Sequence, residues 1–253
     1  MSLKGKVAII TGSTAGIGLA IAKRLGLDGC KIMISSRKSA NVDKAIEHLK
    51  ADGIKEVEGT VCHVGKSIDR DNIVDVTMKK FGRIDILVNN AGINPVFGNM
   101  LDVNELAWDK TFDTNVKAGF FLTQKVVPLM ESVAGGGNVV FVSSITGYTP
   151  FQGIGLYSTT KTALLGMVKA LAMSCAPHNV RVNAIAPGIV KTDFSKFLWD
   201  NEKSCQFYEN MIPLGRFGKA EDCSGVVSFL CSDDASYITG ETIVISGGVN
   251  ARL

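Results

Sequence analysis

The chain has few prolines, 6 in 253 residues, while its 27 glycines exceed the usual share. Glycine excess without proline excludes a low-complexity spacer and points to tight backbone turns. No apolar run approaches the ~18–20 residues that a membrane span requires. The start, Met1 to Lys6, lacks the basic-then-apolar pattern of a secretory signal. The six cysteines, Cys30, Cys62, Cys175, Cys205, Cys223 and Cys231, form no C-x-x-C, and no Cys/His cluster has zinc spacing. They are expected to be reduced, mostly buried thiols, with no metal site. There is no excess of one charge either. The net charge is +3 with Lys and Arg spread along the chain, so no nucleic-acid footprint is visible.

What remains is a globular composition, 46% hydrophobic and 20% charged, which excludes disorder. A chain of this length would bury roughly 70–75% of its unfolded surface without disulfides. Short strand-like runs at 7–10, 31–35, 57–64, 84–92, 135–144, 180–188 and 242–248 alternate with helical patterns. The helical patterns cover 17–29, 41–53, 68–82, 103–114, 115–131, 154–177 and 219–232. Such alternation predicts right-handed crossovers and a doubly wound, seven-stranded parallel sheet with helices on both faces. No linker or repeat interrupts it, so residues 1–253 are expected to form a single domain of Rossmann type, α/β in class.

Four motifs carry chemistry. Thr11 to Gly18 reads TGSTAGIG, with Gly12, Gly16 and Gly18 between the first strand and the first helix. Glycines there let backbone N–H groups of Ser13, Thr14, Gly16, Ile17 and Gly18 approach a pyrophosphate, aided by the helix N-terminal dipole. At the end of the second strand, residues 31–38 contain no acidic group to take the ribose hydroxyls of NAD. Ser36, Arg37 and Lys38 stand there instead, which suits a 2′-phosphate and predicts NADP(H). Asn89-Asn90-Ala91-Gly92 follows the strand IDILV, where small and amide residues let the chain pass close to a cofactor. Tyr157 and Lys161 form Y-x-x-x-K on one helix face, and Ser144 ends the strand thirteen residues earlier. A neighbouring ammonium would favour the phenolate of a tyrosine whose ordinary pKa is about 10. Tyr157 would then exchange a proton with a carbonyl or alcohol oxygen that Ser144 polarises.

In this order and spacing the motifs resemble those of the short-chain dehydrogenase/reductase family in its classical form, from Lys4 to Gly248. Asn115 in DTNV and Pro187-Gly188 after the sixth strand match as well. The resemblance implies that Tyr157 is the proton donor or acceptor, and that Lys161 lowers its pKa and binds the nicotinamide ribose. It implies that Ser144 positions the substrate oxygen and that Asn115 holds a water linking Lys161 to solvent. Pro187, Gly188, Ile189 and Thr192 would flank the nicotinamide, and Asn90, Ala91 and Gly92 the adenosine side. Two departures stand out. Thr160 replaces the common Ser before the lysine, and His63-Val64 stands where Asp-Val is usual. Val64 can still pack on adenine, while His63 either offers a ring nitrogen or is a tolerated loop-end residue.

The stretches CHVGK (62–66), SSRK with NVD (35–43), INPVFG (93–98) and FLCSDDASYITGET (229–242) narrow the resemblance. They point to a subgroup of peroxisomal NADP(H)-dependent carbonyl reductases. That implies NADPH-dependent reduction of ketones, α-dicarbonyls and retinal to alcohols. Ala251-Arg252-Leu253 has the form of a C-terminal peroxisomal address read by an import receptor, with a cytosolic pool as the alternative.

Residues 192–214 would form the substrate loop, with Phe194, Phe197, Leu198, Trp199, Phe207, Tyr208 and Met211 suiting a bulky apolar carbonyl. Ile145, Phe97, Phe151 and Leu156 are further candidates for the pocket. Lys196 and Lys203 hint at an acyl-CoA phosphate or are simply solvated. The family implies a homotetramer, for which segment 226–250 would fit an interface. The rival activities are a peroxisomal enoyl- or dienoyl-CoA or 3-oxoacyl reductase, and a non-catalytic NADP(H)-binding sensor or scaffold.

Overall fold

The computed structural model describes residues 3–249. Seven strands form one parallel sheet in the order β3-β2-β1-β4-β5-β6-β7. They are β1 (Val7–Ile10), β2 (Lys31–Ser36), β3 (Val57–Val61), β4 (Ile86–Asn89), β5 (Gly137–Val142), β6 (Val180–Pro187) and β7 (Thr242–Ile245). The helices are α1 (Gly16–Leu27), α2 (Ser39–Ala51), α3 (Ser67–Phe81), α4 (Glu105–Phe112), α5 (Ala118–Leu129), α6 (Gly155–Cys175), α7 (Glu202–Asn210) and α8 (Ala220–Cys231). None of them is long and apolar enough to cross a membrane.

Because strand side chains alternate between faces, the sheet divides two cores. Ala8, Ile10, Ile32 and Ile34 pack with Ile21, Leu25, Val227 and Leu230 of α1 and α8. Ile9, Met33, Leu87 and Phe141 pack with Ile73, Leu122, Val126, Leu164 and Val168 of α3, α5 and α6. Strands covered on both sides read as continuous apolar runs, which is why VAII and ILVN lack polar alternation. Five of the six cysteines are buried and all six are free. Burial pushes the Cys30, Cys62, Cys223 and Cys231 thiols up to about 12.

Two stretches differ from expectation. The helical segments expected at 103–114 and 115–131 are joined, because π turns at Asp113–Lys117 and Met130–Ala134 continue the backbone through 105–134. Residues 192–214 are not a plain connection: they hold a 3₁₀ segment, Asp193–Leu198, and α7.

The strand order reverses between β1 and β4, so their C-terminal ends open a crevice, the usual ligand position in such sheets. The two lips are tied together. Asn90 Nδ2 donates to Thr11 O and Gly12 O, each at 2.9 Å, and Thr11 Oγ1 accepts from the backbone N–H of Asn90 and Ala91 at 3.1 Å.

Candidate active site

A cavity of about 390 Å³ runs along these strand ends, within the size range of small-molecule sites. One end is the glycine turn. Gly12 has φ +60°, and a Cβ there would stand 3.0 Å from Ala91 Cα. A Cβ on Gly18 would meet Asn90 Nδ2 at 2.5 Å and Gly12 O at 2.6 Å. Only glycine permits this close approach of turn, helix start and facing loop. Thr14, Gly16, Ile17 and Gly18 line the cavity at the head of α1, where free N–H groups and the helix dipole suit a pyrophosphate.

Ser36, Arg37, His63, Val64, Asn90, Ala91 and Gly92 line the same cavity, as do Pro187, Gly188, Ile189 and Thr192 on the far side. This long, glycine-floored groove fits an extended nicotinamide dinucleotide. Ser13 and Lys38 are not brought to it. Ser13 is fully buried, its hydroxyl donating to Ile10 O at 2.6 Å and accepting from Ser35 N at 3.0 Å, so it staples β1 to β2. Lys38 is exposed at the N-cap of α2, off the lining.

The other end gathers Ser144, Tyr157 and Lys161. Ser144 caps the turn Ile145–Gly147, accepting from Thr146 N at 3.2 Å. Its neighbour Ser143 turns back, donating to Lys161 O at 3.0 Å. Gly147 lets this turn lie on α6, since a Cβ there would fall 2.8 Å from the Lys161 carbonyl. Tyr157 is half-buried. Desolvation raises its phenol above the ordinary range, and a hydrogen bond with Ser144 pulls the other way. Lys161 is 3% exposed, and burial lowers its ammonium from 10.5 to about 8. Its Nζ donates to Val142 O at 2.8 Å and stands 5.4 Å from the Tyr157 ring centre.

Asn115 sits in the first π turn, and its amide clamps the adjoining wall. Oδ1 accepts from Ile93 N at 2.8 Å, while Nδ2 donates to Ile93 O at 2.9 Å and to Thr160 Oγ1 at 3.0 Å. Thr160 therefore has a structural use: its hydroxyl donates onward to Tyr157 O at 2.7 Å. A π turn re-aims a side chain without ending the helix, and nothing in the residue pattern signalled it.

Ile145, Phe151 and Phe194 line the substrate end, with Phe194 5.7 Å from Tyr157 between ring centres. Leu156 is buried and is not part of the lining, and Phe97 lies outside it as well. Phe97 instead meets Phe197, which does line the cavity, edge-on at 4.8 Å. Of the substrate-loop candidates, Phe194, Phe197 and Leu198 reach the cavity. Trp199 turns away, its indole donating to Ser195 Oγ at 3.1 Å and stacking under Lys191. Phe207 and Tyr208 pair with each other on α7, and Lys196 pairs with Asp200 at 3.7 Å. Residue spacing did not single out Asn94, Lys110 and Thr114, which also line the cavity; they arrive from the β4 loop, from α4 and from the first π turn.

A family model described as enoyl-(acyl carrier protein) reductase matches residues 12–250. Proteins named dehydrogenase/reductase SDR family member 4 are close relatives. That of Oryctolagus cuniculus is 53% identical over 251 residues, 99% of this chain and 96% of the relative. That of Caenorhabditis elegans is 50% identical over 254 residues, 99% and 97%. Among solved structures, a short-chain type dehydrogenase/reductase from Mycobacterium marinum superimposes with a TM-score of 0.92 at 32% identity, covering 99% of this chain and 98% of its own. A 3-ketoacyl-(acyl-carrier-protein) reductase from Brucella melitensis, solved as its NADH complex, gives 0.89 at 31% identity, covering 98% and 99%.

Proposed function

The chain belongs to the short-chain dehydrogenase/reductase family, and from that premise we propose that it reduces ketones, α-dicarbonyls and retinal to alcohols with NADPH. The observation that carries this reading is the convergence of Ser144, Tyr157 and Lys161 on one wall of the cavity, with the Ser144 hydroxyl as partner of the phenol. Two hydroxyl groups side by side on the cavity wall suit a carbonyl oxygen, which gains charge as the carbon is reduced.

Bound NADPH would supply the hydride. The chain's own residues do the rest. Ser144 donates a hydrogen bond that orients and polarises the substrate oxygen. Tyr157 gives that oxygen its phenolic proton. The Lys161 ammonium, held against Val142 O, stabilises the phenolate left behind. A Cβ on Gly92 would stand 3.5 Å from both Asn115 Oδ1 and Lys161 Nζ; a water held between those two atoms would pass a proton to Lys161. The aromatic rings of Phe151, Phe194 and Phe197 at the substrate end favour a bulky apolar carbonyl.

The choice of NADPH over NADH rests on Ser36 and Arg37 at the cavity wall and on the absence of any carboxylate in residues 31–38. Arginine recognises a phosphate by paired charge-assisted hydrogen bonds. A second reading, reduction of an enoyl- or dienoyl-CoA at its C=C bond or of a 3-oxoacyl thioester at its keto group, is favoured by the description of the matching family and by the name of the Brucella relative. The discriminating experiment is nucleotide oxidation with an aromatic 1,2-diketone, all-trans-retinal and an enoyl-CoA, each with NADPH and with NADH. Turnover of the diketone with NADPH supports the first reading. Turnover of the enoyl-CoA alone would replace it.

The peroxisomal assignment rests on Ala251-Arg252-Leu253, which lies outside the described residues. One residue added after Leu253 should make a tagged protein diffuse through the cytosol, and a punctate pattern surviving that change would refute the address. The proposed homotetramer is refuted by sedimentation as a monomer at micromolar concentration.

A further inference from the structure

We propose that Asn94 selects substrates that carry a second oxygen beside the reacting carbonyl, by hydrogen-bonding that oxygen through its side-chain amide. The proposal rests on the carbonyl-reductase reading above. The loop after β4 runs along the head of α6. A Cβ on Gly92 would stand 3.5 Å from Lys161 Nζ, Gly98 N–H donates to Gly153 O at 2.9 Å, and a Cβ on Gly155 would meet Met100 Sδ at 2.9 Å. Tyr157 lies between Gly153 and Lys161, and Asn94 lies on the loop between their partners, Gly98 and Gly92. The loop therefore carries Asn94 to the Tyr157 end of the cavity, which it lines. Ile145, Phe151 and Phe194 give that end an apolar surface, on which one placed amide fixes the orientation of a ligand.

The amide is held in place but left without a partner. Asn115 grips the preceding residue at both backbone groups, accepting from Ile93 N at 2.8 Å and donating to Ile93 O at 2.9 Å. Pro95 follows and restricts Asn94 to an extended backbone. Oδ1 of Asn94 is buried and, among the described residues, neither it nor Nδ2 has a hydrogen-bond partner. Buried polar groups are nearly always paired in native folds, and leaving one unpaired is costly, so the amide is free for a ligand. With neither end committed, rotation of the amide lets Nδ2 donate to a carbonyl oxygen or Oδ1 accept from a hydroxyl. Ser144 and Tyr157 take the oxygen of the carbonyl being reduced, so Asn94 is left to meet an oxygen on the neighbouring carbon. A 1,2-diketone and a 2-hydroxyketone both carry such an oxygen, and a simple ketone does not.

The test compares an aromatic 1,2-diketone, its 2-hydroxyketone and the matching simple ketone, which share one carbon skeleton. Each is reduced with NADPH by the wild type, Asn94→Leu and Asn94→Asp. Leucine fills the space of asparagine without polar atoms, and an ionised aspartate keeps its shape but can only accept. Activities are expressed as kcat/KM relative to that for the simple ketone, so any loss common to all substrates cancels. Asn94→Leu should lower the relative value of both oxygenated substrates by about tenfold, and Asn94→Asp that of the diketone alone. Equal losses on all the ketones, leaving the ratios unmoved, would give Asn94 a structural role only and overturn the proposal. The wild type decides the matter by itself if neither variant folds. Its KM for the simple ketone should exceed that for the diketone several-fold, and a KM for the diketone equal or higher would overturn the proposal. Failure of the wild type to reduce any of these ketones would instead overturn the carbonyl-reductase reading on which the proposal rests.

Discussion

Lys161→Met should make the protein more stable at neutral pH while removing its activity. Lys161 is 3% exposed, and burial lowers its pKa from 10.5 to about 8. A difference of this size corresponds to about 3 kcal/mol of stability. Below pH 8 the amine is charged in both the folded and the unfolded chain, and the fold bears the full cost of holding that charge away from water. Between pH 8 and 10.5 the folded protein sheds the proton while the unfolded chain keeps it, so wild-type stability rises relative to the variant. Above 10.5 both are neutral and the cost is gone. Methionine matches the length of the lysine stem, but it leaves Val142 O without the Nζ donor at 2.8 Å. That loss is about 1–2 kcal/mol at every pH. The variant should therefore be more stable by about 1–2 kcal/mol at pH 7 and less stable by a similar amount at pH 10.5. Urea titrations of the nucleotide-free proteins at one concentration, at pH 7, 8, 9 and 10.5, measure the difference. A stability difference that stays constant over this range would mean that Lys161 carries no cost of buried charge.

Gly18→Ala would place a methyl 2.5 Å from Asn90 Nδ2 and 2.6 Å from Gly12 O, so thermal denaturation should show a loss of about 2 kcal/mol, together with weakened nucleotide binding. Arg37→Asp should lower the ratio of NADPH to NADH affinity by tenfold or more, about what losing one charge-assisted contact costs, as read by fluorescence titration. Asn115→Ala removes three hydrogen bonds that join Ile93 and Thr160; chemical denaturation should show a loss of about 3 kcal/mol, and kcat should fall as the Tyr157 wall loosens.

The parts of the site legible in the sequence are those whose geometry is local. A glycine turn between a strand and a helix, and a tyrosine and lysine one helical turn apart, are set by backbone periodicity, so their placement follows from spacing. Most of the seven strands were legible for a related reason, since runs such as VAII, ILVN and TIVI are largely apolar and bounded by turn residues. Adjacency in sequence was a poorer guide to side-chain direction. Ser13 lies inside the glycine turn yet points into the sheet, and Leu156 precedes Tyr157 yet faces the core. Contacts between distant segments left no pattern to read. Asn115 meets Thr160 across 45 residues through a π turn, and Lys110 reaches the cavity because α4 runs past it. The interior of 192–214 was also hidden, because Ser195 organises it through bonds to Val190, Thr192 and Trp199 that no periodicity announces.

Catalysis turns on transfer of the Tyr157 phenolic proton to a carbonyl oxygen. Steady-state oxidation of NADPH with an aromatic 1,2-diketone, by the wild type and by Tyr157→Phe, tests it most directly. The substitution removes one oxygen and leaves the ring beside Phe194. In the variant kcat should fall by about 10³-fold, while the affinity for NADPH, measured by fluorescence, changes little. A variant that keeps most of the wild-type kcat would contradict proton transfer from Tyr157.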